Sequence, residues 1–295
     1  MPTVVHARRA LAFGGAVVFA LVGGAFTSSA DADANAAADG RYVALGDSYV
    51  SGPLIPVQRG GLCLRSDHNY ASLTAAALGY SLTDASCSGS TTNEMDNPQN
   101  ELGITINAPE LDSVTSDTNL VTLGIGGNDI GFINIIETCA EESLTNPVGD
   151  PCTQYYNSGG TDQLAAAIEA TGPKVGSVLQ QIHQNAPHAA VYVVGYPDIL
   201  PEAGNGCWPV VPIASGDIAY LRQTEKELNQ MLADEASVNG ATYVDTYTPS
   251  IGHDVCQAVG TKWVEGLVPT SPAAPFHPNE AGEAAMAKAL ETAIG

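Results

Sequence analysis

The stretch 40-GRYVALGDSYVSG-52 is an apolar run that stops on a small residue, a carboxylate and a hydroxyl. Tyr42-Val43-Ala44-Leu45 shows no alternation of apolar and polar positions, the pattern of a strand buried on both faces. Other stretches repeat the form. The segment 119-NLVTLGIGGND-129 reads as a strand that runs into a Gly-rich turn, and a strand candidate at 80–86 leads into Cys87-Ser88-Gly89-Ser90. The segment 189-AAVYVVGYPD-198 is a further buried strand, and 241–246 a shorter one. Helical periods separate them. Residues 67–78 form one helix with Asp67 as its N-cap, and 161–184 form a second that Gly172-Pro173 is expected to interrupt. Residues 216–237 carry Ile218, Leu221, Leu228, Met231 and Leu232 on one side, and Met286, Leu290 and Ile294 recur every four residues in 279–294.

Strands that alternate with helices predict an α/β fold with a parallel sheet covered on both faces. Ligands of such sheets gather beyond the carboxyl ends of the strands. The turns GDS, SGS and GGND each follow a strand, so they are expected to meet at one edge. Residues 130–160 and 200–216, rich in Gly, Pro and Asn, are expected to be long loops over that edge or its flank.

Composition narrows the setting. Residues 1–30 read as an export signal, with Arg8 and Arg9 ahead of an apolar run from Leu11 to Phe26 and small residues after it. Residues 31–39 are expected to be disordered, and 40–295 to form a single domain. The net charge of −22 becomes −24 once Arg8 and Arg9 are removed. Such an acidic surface argues against nucleic acid and anionic membranes as partners. Beyond the signal no segment is long and apolar enough to be a membrane anchor, and a secreted, extracellular monomer is expected. Six cysteines, Cys63, Cys87, Cys139, Cys152, Cys207 and Cys256, follow the signal, an even number bound for an oxidising compartment. Fifteen pairings into three disulfides are possible in principle. Nearest-neighbour pairing, which closes three separate loops, is the one expected. No close Cys pair or Cys/His cluster points to a metal instead.

Acyl transfer needs a nucleophile, a base within hydrogen-bond reach, and donors aimed at the developing oxyanion. Ser48 is the candidate nucleophile, at the head of whatever follows the strand, and its own N–H is one donor. Gly89 supplies a second N–H with no side chain in the way, and Asn128 supplies an amide NH2. His277, in 275-PFHPNEAG-282, is the candidate base, and Asn279 the cap of the last helix. Asp47 starts too close to Ser48 to reach the far side of the same imidazole, so it is read as fixing the turn. Asp129 is read as structural too, and Trp208 and Trp263 as packing residues. Tyr49, Leu54, Ile55 and Val57 are read either as an apolar lip for an acyl chain or as core.

Taken together, Ser48 in GDS, Gly89, Asn128 in GGND and His277 in PFHPNEAG resemble the SGNH or GDSL hydrolase superfamily. The resemblance covers the chain from about residue 40 to its end. With the six cysteines and the export signal, it is similar to the secreted actinobacterial lipases and esterases of that superfamily. It implies a flavodoxin-like three-layer α/β/α sandwich with a central five-stranded parallel sheet. It also implies hydrolysis of carboxylic esters, small-molecule or lipid, with no cofactor and no metal, and it supports the sequential disulfides.

One position departs from the pattern. The family places an Asp three residues before the His, where this chain has Ala274. A main-chain carbonyl, from Ala274 or Pro275, is expected to orient His277 instead; Asp254 and Glu265 are remote alternatives. A carbonyl holds the imidazole tautomer but gives up part of the charge stabilisation that a carboxylate offers. The expectation is therefore a secreted serine ester hydrolase with a Ser48–His277 dyad and an acyl-enzyme intermediate. Its rivals are a non-catalytic lipid- or glycan-binding relative and, within the enzyme class, a phospholipase or carbohydrate deacetylase.

Overall fold

The computed structural model describes residues 40–295; the expected export signal at 1–30 and the segment at 31–39 lie outside the described residues. Strand β1, Arg41–Gly46, leads into the one-turn helix α1, Ser48–Ser51. Helix α2 (Tyr70–Leu78) and strand β2 (Ser81–Asp84) follow, then a hairpin of β3 (Gln99–Glu101) and β4 (Ile104–Asn107). Strand β5 (Leu120–Gly124) precedes three helices, α3 (Phe132–Ser143), α4 (Pro151–Tyr156) and α5 (Gln163–Asn185). The chain ends with β6 (Ala190–Val194), α6 (Ile218–Val238), β7 (Thr242–Val244), α7 (Tyr247–Ser250) and α8 (Glu280–Ile294).

Five strands form one parallel sheet in the order β2-β1-β5-β6-β7. Counted within the sheet this is 2-1-3-4-5, the flavodoxin-like order, and its crevice lies between β1 and β5, where the winding reverses. Tyr42 and Ala44 pack on one face with Tyr70 and Ala71 of α2 and Met286 and Leu290 of α8. Val43 and Leu45 pack on the other with Val175 and Leu179 of α5 and Leu228 and Leu232 of α6. One strand feeds two cores, which is why its sequence shows no alternation.

Several boundaries differ from the sequence reading. Asn69, not Asp67, caps α2; its side chain accepts from Ser72 N–H at 2.8 Å. Asp67 instead accepts from Val57 N–H and the Arg59 guanidinium. Helix α5 is unbroken across Pro173. The segment 130–160 is not a plain loop, because α3 and α4 occupy much of it. Three disulfides, Cys63–Cys87, Cys139–Cys152 and Cys207–Cys256, join nearest neighbours.

Candidate active site

The carboxyl ends of β1 and β5 meet as Gly46 and Gly124, which are register partners. A Cβ on Gly46 would lie 2.1 Å from the Gly124 carbonyl oxygen, and its φ of +142° suits glycine alone. The close approach lets Asp47 N–H donate to that oxygen at 3.0 Å. Asp47 then caps α1, accepting from Tyr49 N–H at 2.9 Å. Ser48 is thereby fixed as the first residue of α1.

His277 reaches it from the far end of the chain. Its Nε2 is 2.7 Å from Ser48 Oγ, and its Nδ1 is 2.7 Å from the Pro275 carbonyl oxygen. A carbonyl only accepts, so Nδ1 carries the hydrogen and the neutral ring offers Nε2 as acceptor to the serine hydroxyl. Ala274 has a different part: its carbonyl accepts the backbone N–H of His277. Neither Asp254 nor Glu265 bonds the imidazole. Asp254 accepts from Cys256 N–H and from the Gln257 side-chain amide. Glu265 accepts from Thr270 and Asn279 and pairs with Lys262 at 3.3 Å, which stiffens the loop behind His277.

The histidine is buried among aromatic rings. Tyr49 lies 5.0 Å away by centroid and Phe132 6.2 Å away, edge-on. Burial pushes its pKa down to about 4, against a small upward pull from the Pro275 carbonyl. Tyr49 also ties the Ser48 turn to the His277 loop: its hydroxyl donates to the Phe276 carbonyl at 2.6 Å.

Asn128 and Ser48 line one pocket. Asn128 spends one amide hydrogen on the Ser90 carbonyl at 2.9 Å, which joins its turn to the one that holds Gly89. That turn is joined to α1 as well, through Ser88 Oγ and Ser51 Oγ at 2.9 Å. Among the described residues, neither Ser48 N–H nor Gly89 N–H has a hydrogen-bond acceptor.

Some of the constellation was not visible in the sequence. Glu110, fully buried, accepts from Gly46 N–H at 2.7 Å and Ser90 Oγ–H at 2.8 Å, bridging two of the three turns. Burial raises its pKa well above the usual carboxylate range. Tyr196, just past β6, accepts from Gly127 N–H at 2.8 Å and donates to Asp47 Oδ2 at 2.6 Å, bridging the turns of Ser48 and Asn128. Nothing in 108-APELDS-113 or 195-GYPD-198 marks these roles.

Asp129 holds Thr92 through its N–H and hydroxyl. Trp263 stacks on His253 at 3.7 Å, and neither tryptophan lines the pocket. Of the apolar residues after Ser48, Tyr49 and Ile55 are buried while Leu54 and Val57 are exposed. The pocket walls come from elsewhere: Phe132, Ile135 and Ile136 of α3, Leu221 and Leu228 of α6, and Ile199 between strands. The apolar spacing Ile130, Phe132, Ile135, Ile136 right after GGND was the signal for them. Among the described residues no group of three or more His, Cys, Asp or Glu side chains is placed to hold a metal ion.

Residues 44–285 match the GDSL-like lipase/acylhydrolase family. The chain belongs to this family. It is 39% identical over 259 residues to Lipase 2 of Streptomyces coelicolor, a match covering 86% of this chain and 85% of that one. Among solved structures it is similar to phospholipase A1 of Streptomyces albidoflavus, at 30% identity and a TM-score of 0.71 over 86% of this chain and 98% of that one. The extracellular lipase of Streptomyces rimosus superposes with a TM-score of 0.69 at 27% identity, over 86% of this chain and 99% of that one. Members of the family are enzymes of lipase and esterase type, and this chain is one of them.

Proposed function

We propose that the chain is an exported serine hydrolase that cleaves lipid carboxylic esters through an acyl-enzyme. Ser48 Oγ attacks the ester carbonyl carbon while its proton passes to His277 Nε2. The negative charge that develops on the carbonyl oxygen is met by the N–H groups of Ser48 and Gly89 and the remaining amide hydrogen of Asn128. As the tetrahedral intermediate collapses, the ester C–O bond breaks and Nε2–H protonates the departing alcohol. Water then attacks the acyl-enzyme, giving its proton to Nε2. The second collapse releases the acid and returns the proton to Ser48. Pro275 holds the ring by Nδ1 throughout.

The observation that carries this reading is the 2.7 Å contact between Ser48 Oγ and a buried imidazole whose other nitrogen faces a carbonyl. The apolar pocket beside Ser48 supports an acyl chain as its occupant. The phospholipase A1 of S. albidoflavus supports phospholipids among the substrates. Export is supported by the arginines and apolar run at the start of the sequence, the three disulfides, and the extracellular lipase of S. rimosus. Replacing Ser48 by Ala is expected to lower turnover of p-nitrophenyl esters by roughly 10⁴ or more with an unchanged circular dichroism spectrum. A fluorophosphonate should label the native protein and not the variant. Native rates from Ser48→Ala would overturn the reading.

A further inference from the structure

Two excursions of the chain rise from the turns that hold Ser48 and Gly89, and both carry apolar side chains into solvent. The first, residues 53–66, leaves from the end of α1 and exposes Leu54, Val57 and Leu62. The second is the β3–β4 hairpin, with Ile104 mostly exposed and Leu102 100% exposed at its tip. The hairpin stands on the site: Gln99, its first residue, donates to the Ser88 carbonyl at 2.9 Å. Its amide nitrogen lies 3.5 Å from where a Cβ on Gly89 would be. The excursions are also neighbours. The Arg65 guanidinium donates to Asn107 Oδ1 at 2.7 Å, and Cys63 Sγ lies 3.7 Å from the Ile106 carbonyl oxygen.

Folding alone does not account for the tip. Leu102 and Gly103 form a two-residue turn with φ of +51° and +79°. Asn-Gly or Gly-Gly fits such a turn best, and a branched side chain is disfavoured in the left-handed region. Leucine there strains its backbone and buries nothing. A cluster of exposed apolar residues beside a pocket marks a surface that something covers.

Charge selects the partner. The chain carries −22 overall, so an anionic bilayer repels it, whereas residues 99–107 hold a single charged side chain, Glu101, and the two arginines of 53–66 are engaged, Arg59 by Asp67 and Arg65 by the Ser86 carbonyl and Asn107. An electrically neutral surface accepts this patch without an opposing field. We propose that the 53–66 excursion and the β3–β4 hairpin dock the protein on zwitterionic lipid–water interfaces. In this arrangement Leu102 and Ile104 enter the acyl boundary and bring the Ser48 site to its ester. The proposal rests on the lipid-ester reading above.

Its test separates docking from chemistry. The native protein is sedimented with phosphatidylcholine vesicles, and hydrolysis is followed on those vesicles and on dissolved p-nitrophenyl butyrate. Leu102→Asp and Ile104→Asp are expected to weaken vesicle binding and vesicle hydrolysis by at least about tenfold each, the loss of one buried aliphatic side chain. Turnover of the dissolved ester should stay at the native rate. Leu102→Trp should restore binding and show a blue-shifted emission on vesicles, which guards against misfolded variants. Undiminished vesicle binding by both Asp variants would overturn the proposal, as would failure of the native protein to bind. So would a native dimer, seen by light scattering without lipid, that Leu102→Asp dissolves. Native binding with no ester cleavage would instead sink the functional reading and leave the docking surface standing.

Discussion

His277 has one polar neighbour at each nitrogen and rings around the rest of it. A carboxylate partner would hold its pKa near or above the ordinary value; a carbonyl does not offset the desolvation, and the pKa falls to about 4. In its proposed role as base the ring works only when neutral, so the acid limb of kcat/KM should follow this value. Hydrolysis of p-nitrophenyl butyrate is expected to keep its plateau down to about pH 5 and to fall only as pH drops through about 4. An acid limb near pH 6.5, the ordinary histidine range, would contradict the assignment of a carbonyl partner in a dry site. A second residue-scale test concerns Tyr196. Removing its hydroxyl with Tyr196→Phe leaves Gly127 N–H and one Asp47 oxygen without their partner. The expected cost is about 1–3 kcal/mol of stability. A drop in kcat larger than the rise in KM is expected with it, because the turns of Ser48 and Asn128 lose their bridge. Equal changes in both would reduce Tyr196 to a packing residue. The four residues proposed to act on the ester were legible as candidates because Ser48, Gly89, Asn128 and His277 sit in short motifs. Glu110 and Tyr196 were not, since a buried bridge between turns depends on where the turns meet, and no spacing encodes that.

Among the elements, α3 lies along the pocket beside Ser48. Phe132, Ile135 and Ile136 form much of one wall. Filling it with Ile135→Trp is expected to shift the preference toward short acyl chains. The ratio of kcat/KM for p-nitrophenyl palmitate to butyrate should fall by about tenfold or more, the scale of discrimination that a few methylenes give. An unchanged ratio would move the acyl site elsewhere. The sequence reading placed a loop here because Gly, Asn and Pro around 130–160 outweighed a short amphipathic run. The five sheet strands were legible for the opposite reason: continuous apolar runs buried on both faces have few other readings. The β3–β4 hairpin escaped because its strands are three and four residues long and largely exposed, with no buried face to set a period. Helix α5 was expected to break at Gly172-Pro173 and does not. Its flanking turns pack on α6 through Ile168, Val175 and Leu179, and that burial outweighs one missing backbone hydrogen bond.

For the molecule as a whole, the buried acids set the dependence of stability on pH. Asp47 and Asp198, both fully enclosed, have pKa values raised by desolvation to about 7. Glu110, Glu225 and Glu283 are raised well above the ordinary carboxylate range by the same cause. The folded state thus binds more protons than the unfolded one above the ordinary carboxylate range, and stability falls as pH rises. The stability these groups contribute is complete below about pH 4 and is lost as pH climbs through about 7. With a net charge of −22, self-repulsion acts in the same direction. Calorimetry should find a melting temperature several degrees higher at about pH 5 than at about pH 8. A melting temperature that rises with pH across that interval would mean these carboxyls are ionised and partnered in the native state. The three-layer arrangement and its strand ends follow from patterning that any reader of the sequence can see. The proton inventory does not, because it is a property of burial and not of composition.

The bond between Cys63 and Cys87 closes residues 63–87 into a covalent ring, anchored on one side by the segment leaving Ser48 and on the other by the turn of Gly89. A protease that cuts anywhere inside this ring severs the backbone without releasing a fragment. The two halves of the molecule stay tethered within a few ångströms of the place where they must cooperate. A single nick in that stretch is therefore a wound the protein can carry.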